Sequence, residues 1–555
     1  MILPPRHLNV ARWLEELAHA QPTTLAVVCP AGRDRAGRIA YSVLNYEELN
    51  QECDRLAHGL SKLGIGRGVR TVLMVTPSVE FFALTFALFK LGAVLVVVDP
   101  GMGIKNLGRC LDQAEPEAFI GITKAHVARC LLGWARRHLR LCITVGRKLG
   151  WSGLTYATLR AAGQTDPWPA VEVAADDLAA ILFTSGSTGP PKGAEYTHGI
   201  FATQVETIRT LYDLRPGEID LCTFPLFALF APALGWTAVV PDMDASRPGR
   251  VHPPNIISAI QTFGVTTMFG SPALLERVGA YGVAHGMRLP SLRRGISAGA
   301  TVRAEVLETF ARLPPEATPI HTPYGATEAL PVATIASKEV LEETRQATAA
   351  GAGVCVGQPA ANLTVRIISI SDEPIPTWSD ELALPAGVIG EIAVRGPQVT
   401  QRYFRQEEGT RLAKIADPDG GPVWHRMGDL GYLDDRGRLW YCGRKAHRVE
   451  TAAGTLYTEC CEAIFNRHPH VRRTALVGVG SRPEQRPVLC VELKPEARPV
   501  DRAALRAELA ALAQEQEMTR AIDRFLFHPE FPVDVRHNAK IFREQLAAWA
   551  AKELR

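Results

Sequence analysis

Residues 81–98, FFALTFALFKLGAVLVVV, carry a single charge, Lys90. A run this apolar must either cross a membrane or be enclosed by the rest of the chain. A spanning helix needs about 20 uninterrupted apolar residues, and Lys90 and Gly92 cut this run in two. Ahead of the cut lies a helix-length segment. After it comes VLVVV, a β-branched stretch stopped by Asp99-Pro100. The pattern predicts a buried helix followed by a core strand of a parallel sheet, since parallel strands are covered on both faces. A second run, LCTFPLFALFAPALGWTAVV (221–240), has no charge at all. Pro225 and Pro232 would break a spanning helix, and Asp220 and Asp242 flank the run instead of Lys or Arg. Two readings stay open for it: a core segment of two short pieces with a bend, or the wall of an apolar ligand pocket.

The same alternation continues along the first half. YEELNQECDRLAHGLSKLG (46–64) has helical spacing and a glycine stop, VRTVLMV (69–75) reads as a strand, and AFIGIT and LCITVG as further short buried strands. NIISAIQTFG before VTTMFG repeats the helix–strand unit. Helices alternating with short apolar strands predict layered α/β subdomains around parallel sheets. Residues 363–395, with LTVRIISI and then GVIGEIAVRG, predict a small antiparallel β section, and LGYLDDRGRLWYCG a hairpin. A boundary is expected near GRKAHRVETAAG (443–454), giving an N-terminal region 1–442 and a C-terminal unit 443–555. That unit holds a helix (CCEAIFNRHP), strands TALVGVG and PVLCVEL, the helix 501–517, and a Lys-bearing tail.

Composition narrows the function classes. Lys plus Arg is 61 against 58 for Asp plus Glu, a net +3 that argues against a nucleic-acid binder. The 11 cysteines include no CxxC pair, and the N-terminal MILPPRHLNVARW lacks the plan of a signal peptide. Reduced thiols and a cytoplasmic location are expected.

The segment with most chemistry is ILFTSGSTGPPKGAEYTH (181–198). TSGSTGPPKG follows a strand-like ILF and combines small residues, hydroxyls and one lysine, Lys192. Small residues let backbone N–H groups approach an anion, hydroxyls add donors, and the lysine adds a point charge. Phosphate binding is the reading. A Walker loop is excluded: Pro191 stands where its second glycine would be and Gly193 where its Mg²⁺-binding hydroxyl would be. A metal at this loop would need a carboxylate from elsewhere.

TSGSTGPPKG resembles the phosphate-loop signature of the acyl-adenylate-forming superfamily, and the other motifs of that superfamily follow in order. SAGAT (297–301) resembles its adenine loop, YGATE (324–328) its aromatic-Gly-x-Thr-Glu motif, and GDLGYLD (428–434) its ribose motif. GR (443–444) resembles its domain junction, and Lys540 its C-terminal catalytic lysine. The likeness covers about residues 40 to 545. It implies ATP and Mg²⁺ as cofactors and a small mobile α+β C-terminal domain behind the large region. It implies nucleotide contacts from Thr184, Ser185, Gly186, Ser187, Thr188, Gly189, Lys192, Gly299, Ala300, Thr301, Tyr324, Gly325, Asp429 and Arg444. Tyr324 would stack on adenine, Asp429 accept the ribose hydroxyls, Thr327 donate to the α-phosphate, and Glu328 hold Mg²⁺. Lys540, with Lys192, would neutralise charge as a substrate carboxylate attacks the α-phosphorus.

The acyl acceptor is a separate question. Thioester-forming members of the superfamily usually carry Asp or Lys two residues beyond the junction arginine, where this chain has Ala446. Many acyl-CoA ligases carry His where PLFALF has Ala228. These departures weigh against thiol transfer and leave adenylation intact. A hydroxyl on the β-carbon of the same acid could open the adenylate from within, forming a β-lactone with no second substrate. As a whole the chain resembles the β-lactone synthetases of bacterial long-chain olefin biosynthesis, which act on 2-alkyl-3-hydroxyalkanoic acids. That likeness implies a lipid-like acid substrate and an association with neighbouring enzymes of that pathway, while the charge balance and the broken apolar runs predict no nucleic-acid partner and no transmembrane segment. Phe227, Ala228 and Phe230 are the expected wall of the alkyl pocket. A long-chain acyl-CoA or acyl-AMP ligase is the alternative, and a nucleotide-binding scaffold without turnover is a third reading.

Overall fold

The computed structural model describes residues 6–184, 191–224, 230–497, 500–533 and 541–555. The run at 81–98 forms helix Val79–Lys90 and strand Val94–Val97. Ser78 caps the helix by accepting from Phe81 N, and Phe82, Leu84, Phe86 and Leu88 are fully buried on all its sides. Lys90 is only 1% exposed, and its ammonium meets the Asp54 carboxylate and Glu15, the latter at 3.1 Å. Pairing lets a charge sit inside a helix enclosed on every face.

Two sheets flank the main core. One runs in the order Leu154–Thr155, Leu141–Val145, Ala118–Ile122, Arg70–Met74, Val94–Val97, Leu178–Thr184, Lys192–Thr197. Its neighbours are parallel except for the last pair. The other contains a parallel block: Leu25–Arg33, Thr237–Val239, Ile219–Cys222, Thr267–Phe269, Arg294–Ile296 and Ile320–Ala326. From Ile320–Ala326 it continues antiparallel through Ala329–Ala336 and Val354–Pro359 into Leu439–Arg444, Trp424–Leu433, Gly390–Arg395 and Thr364–Ile368. The antiparallel section expected at 363–395 is therefore joined to the second sheet edge to edge. Helices Tyr46–Lys62, Val79–Lys90 and His198–Leu211 pack between the sheets, sharing one core with Val27 of the second sheet and Leu95 of the first.

Within 221–240 the described residues form the end of strand Ile219–Cys222, helix Phe230–Leu234 and strand Thr237–Val239. Ala231, Ala233, Leu234 and Trp236 are buried in the main core, so the described part of this stretch from Ala231 onward is core, while residues 225–229 lie outside the described residues.

The fold is mixed α/β: a large N-terminal part of sheets and helices, then a small C-terminal domain. The latter packs helix Thr458–Asn466 and helix Arg502–Gln514 on strands Val471–Val479, Arg486–Leu493 and Phe525–Phe527, with apolar clusters of its own. Where the sequence reads as a Lys-bearing tail, Arg543–Glu553 is a helix whose Leu546 and Ala550 are buried. Its packed face mixes Leu546, Ala547, Trp549 and Ala550 with the buried Arg543, which leaves little apolar signature in the sequence. Helix Ala11–Ala20 and the hairpin Leu25–Arg33/Ile39–Asn45 are also structure that the sequence reading left unassigned.

Candidate active site

The motif residues gather where strands of the two sheets end. Carboxyl ends of parallel strands are the usual ligand crevice of α/β folds, because loops and free backbone groups converge there. Strands Leu178–Thr184 and Lys192–Thr197 pair antiparallel with Thr184 opposite Lys192. The strands on either side of the phosphate segment therefore pair with each other, whereas a Walker loop leads from strand into helix. Ser185, Gly186, Ser187, Thr188 and Gly189 lie outside the described residues. Lys192 is half-buried, its Nζ 5.0 Å from the centroid of the Tyr403 ring.

The expected adenine loop follows strand Arg294–Ile296, which pairs with Ile320–Ala326. Gly299 and Thr301 are exposed and Ala300 half-buried, so this loop faces outward. Ser297, behind it, is buried and tied by its N–H to the His321 carbonyl at 2.8 Å. His321 packs its ring on Tyr212 with centroids 4.9 Å apart, and burial lowers its pKa to about 4, so it is a neutral imidazole at pH 7.

Tyr324 and Asp429 meet across 105 residues of sequence: Tyr324 Oη donates to Asp429 Oδ2 at 2.7 Å. Arg444 Nη1 lies 2.9 Å from Asp429 Oδ1; Asp429 on Trp424–Leu433 stands opposite Arg444 on Leu439–Arg444, in the sheet that also carries Tyr324. Burial pushes the Asp429 carboxyl above its ordinary pKa, and Arg444 opposes that push. Gly325 sits where the chain turns toward Ala329. A Cβ there would stand 2.7 Å from the Ala329 carbonyl oxygen, so no larger residue fits.

Glu328 is buried, and Tyr403 Oη donates to its Oε1 at 2.7 Å. Its backbone carbonyl accepts from Thr400 N at 2.9 Å. Thr327 is half-buried, with its carbonyl held by Tyr196 Oη. Tyr403, Thr400 and the buried Lys414 beside them went unnoticed in the sequence. Their only sequence signal is a lysine among the apolar positions of LAKIA.

At the junction, Gly443 has φ 126, and a Cβ would lie 2.4 Å from Thr458 Oγ1. Ala446 stands in a short turn, its carbonyl accepting from Arg482 Nη2 at 2.7 Å. Arg448 pairs with Asp372 at 2.6 Å and Lys445 with Glu391 at 3.0 Å. Arg543 is clamped on Glu462, with Nη2–Oε2 at 2.9 Å. Lys540 lies outside the described residues, as do Phe227 and Ala228. Phe230 is half-buried against Phe201, 6.2 Å between ring centroids.

These groups fit a magnesium nucleotide. Ser297 Oγ and Asp429 Oδ1 are buried without a hydrogen bond among the described residues, two polar oxygens that a nucleoside could engage. The Arg444 contact to Oδ1 is an ion pair outside hydrogen-bond geometry. No cluster of three ligating side chains occurs among the described residues. A lone carboxylate, Glu328, suits Mg²⁺, which is usually held by one or two carboxylates together with substrate phosphates.

Comparison with known proteins agrees with this geometry. The profile of the AMP-binding enzyme family matches residues 14–404. The chain is similar to the olefin beta-lactone synthetase of Xanthomonas campestris pv. campestris, 52% identical over 98% of both chains. It is equally similar to that of Stenotrophomonas maltophilia, 52% identical over 99% of both. Among solved structures, the amide bond synthetase of Marinactinospora thermotolerans shares the fold with a TM-score of 0.79, at 21% identity over 98% of this chain and 99% of that one.

Proposed function

The chain belongs to the AMP-binding enzyme family, and from that premise we propose that it is an AMP-forming acid ligase that makes β-lactones. It uses ATP and Mg²⁺. A carboxylate oxygen of a long-chain 2-alkyl-3-hydroxy acid attacks the α-phosphorus of ATP, the bond to pyrophosphate breaks, and an acyl–AMP anhydride forms. The 3-hydroxyl oxygen then attacks the acyl carbon, its proton is lost, and the bond to AMP breaks. The products are the β-lactone, AMP and pyrophosphate, in long-chain olefin biosynthesis. The observation that carries this reading is likeness at 52% identity to two olefin beta-lactone synthetases over nearly the whole chain.

In this reading Tyr324 stacks on adenine, while Asp429, held by the Tyr324 and Arg444 contacts with its Oδ1 left without a hydrogen bond, receives the ribose hydroxyls. Glu328 holds Mg²⁺, which when bound draws charge from the phosphate oxygens. Lys192 and the 184–189 loop hold the phosphates, Thr327 donates to the α-phosphate, and Lys540 offsets charge between carboxylate and phosphorus. The division into 1–442 and 443–555 places Lys540 on the smaller part. Support for that division is the separate apolar clustering of the C-terminal helices and strands. The junction supports a mechanism with little domain swing: Ala446 stands at the hinge position, and Arg448–Asp372 and Lys445–Glu391 bridge across it. Among the described residues no helix is long and apolar enough to cross a membrane. A cytoplasmic location and contact with neighbouring pathway enzymes belong to the same reading. Its rationale is that a two-chain lipid product passes more readily between touching proteins than through water.

The test is incubation with MgATP and a long-chain 2-alkyl-3-hydroxy acid, with and without coenzyme A, followed by NMR of the products. A lactone carbonyl without coenzyme A is expected. A thioester formed only with coenzyme A would refute the lactone and favour the acyl-CoA ligase.

A further inference from the structure

Lys414 is 7% exposed and sits in the short strand Lys414–Ile415, opposite His425 of Trp424–Leu433. Its Nζ donates to the Thr400 carbonyl and to Thr400 Oγ1, the latter at 3.1 Å. Both acceptors are neutral. An ammonium buried on neutral acceptors is costly, and burial lowers its pKa to about 7, with Glu328 opposing and Lys192 adding to the fall. An apolar side chain of the same length would pack there at less cost, so the amine needs a reason.

The contacts around it supply one. Thr400, which the amine grips twice, donates its N–H to the Glu328 carbonyl at 2.9 Å. Tyr403, whose ring centroid lies 5.8 Å from the Lys414 Nζ, donates its hydroxyl to Glu328 Oε1 at 2.7 Å. The same ring stands 5.0 Å from Lys192 Nζ. Lys414 thus reaches Glu328 by two routes, one through backbone and one through a side chain. Both end on the residue read above as the Mg²⁺ ligand, and the second passes the phosphate-loop lysine.

We propose that Lys414 is a positioning residue: by fastening Thr400 and the Tyr403 ring, it holds the Glu328 carboxylate in register with Lys192 for the metal–triphosphate end of the nucleotide. This inference rests on the adenylation reading, and the experiment separates the two. Calorimetric binding is measured with adenosine, which lacks phosphates, and with ATP across a Mg²⁺ titration. The proteins are wild type, Lys414→Met, Tyr403→Phe and the double variant. Lys414→Met should weaken MgATP binding about tenfold or more, the size of a lost charge-assisted contact. Adenosine should bind within twofold of wild type, and the gain in ATP affinity on adding Mg²⁺ should shrink. The double variant should bind MgATP no more weakly than the weaker single variant, because Lys414→Met already loosens both routes, the one through Tyr403 included. Equal losses for adenosine and MgATP would mark Lys414 as merely structural and overturn the proposal. So would unchanged MgATP binding, or losses that multiply in the double variant. Should Lys414→Met fail to fold, Lys414→Gln, which keeps an N–H donor for Thr400 but no charge, carries the same comparison. Wild-type protein that binds neither probe would overturn the adenylation reading, and this inference with it.

Discussion

Asp429 is asked to do two things that pull apart. It is buried, which disfavours its charge, and in the proposed role it must stay charged to receive a ribose. Arg444 and the Tyr324 hydroxyl resolve the conflict by stabilising the carboxylate while leaving part of it unsatisfied. Asp429→Ala should therefore raise the KM for ATP by about tenfold or more, since two charge-assisted hydrogen bonds are lost. Equal KM values in initial-rate assays would remove the ribose role. Asp220 is a carboxyl kept the opposite way. Burial raises its pKa from 3.8 to about 7, with Cys222 Sγ donating to Oδ2 at 3.1 Å. Between about pH 4 and pH 7 the unfolded chain has released this proton and the folded chain has not. The folded state then binds more protons, and stability falls as pH rises through that window. Asp220→Asn should abolish this slope. Relative to the variant, the wild type should lose on the order of 3 kcal/mol from pH 4 to pH 8. Parallel pH–stability curves for the two proteins would contradict the assignment.

Among the elements, helix Val79–Lys90 shows why so much of the architecture was legible beforehand. An apolar run of helix length, a break at Lys90 and Gly92, and a β-branched run describe helix, turn and strand with no tertiary information. Local pattern sufficed because each element's burial is written in its own residues. Lys90 shows the limit, because its partners Asp54 and Glu15 lie on other helices. Lys90→Met leaves the Asp54 carboxylate buried without its cation. It should destabilise the large region by about 3–5 kcal/mol, read as a lower urea midpoint. A midpoint within error of wild type would mean that the pair contributes nothing. The helix Arg543–Glu553 was illegible for the reverse reason: its packed face mixes Leu546, Ala547, Trp549 and Ala550 with the buried Arg543, and only the sheet beneath it and Glu462 turn these into one face. The two sheets likewise read as separate α/β and β sections, and only strand pairing at Ile320–Ala326 and Val354–Pro359 joins the latter to its neighbour.

At the level of the whole chain, the proposed site draws on both sheets, and in that proposal the C-terminal domain adds Lys540. If Lys540 is brought to the α-phosphate by that domain, Lys540→Ala should slow adenylate formation by about 100- to 1,000-fold, the cost of one transition-state charge stabiliser. ATP binding should persist. Pyrophosphate release at the wild-type rate would remove the lysine from the chemistry.

The adenylating chemistry was readable from the linear chain, because phosphate loops and nucleotide motifs are short and each carries its residue types within a few positions. The lipid-like substrate came through likeness along the chain, and Phe227 and Ala228, expected to line its pocket, lie outside the described residues. The support around Glu328 became visible only in the folded molecule. Thr400, Tyr403 and Lys414 are unremarkable in sequence, and Tyr403 lies 75 residues from the carboxylate it holds. Burial and approach are properties of packing, and no local pattern of residues encodes which distant side chain will be pressed against which.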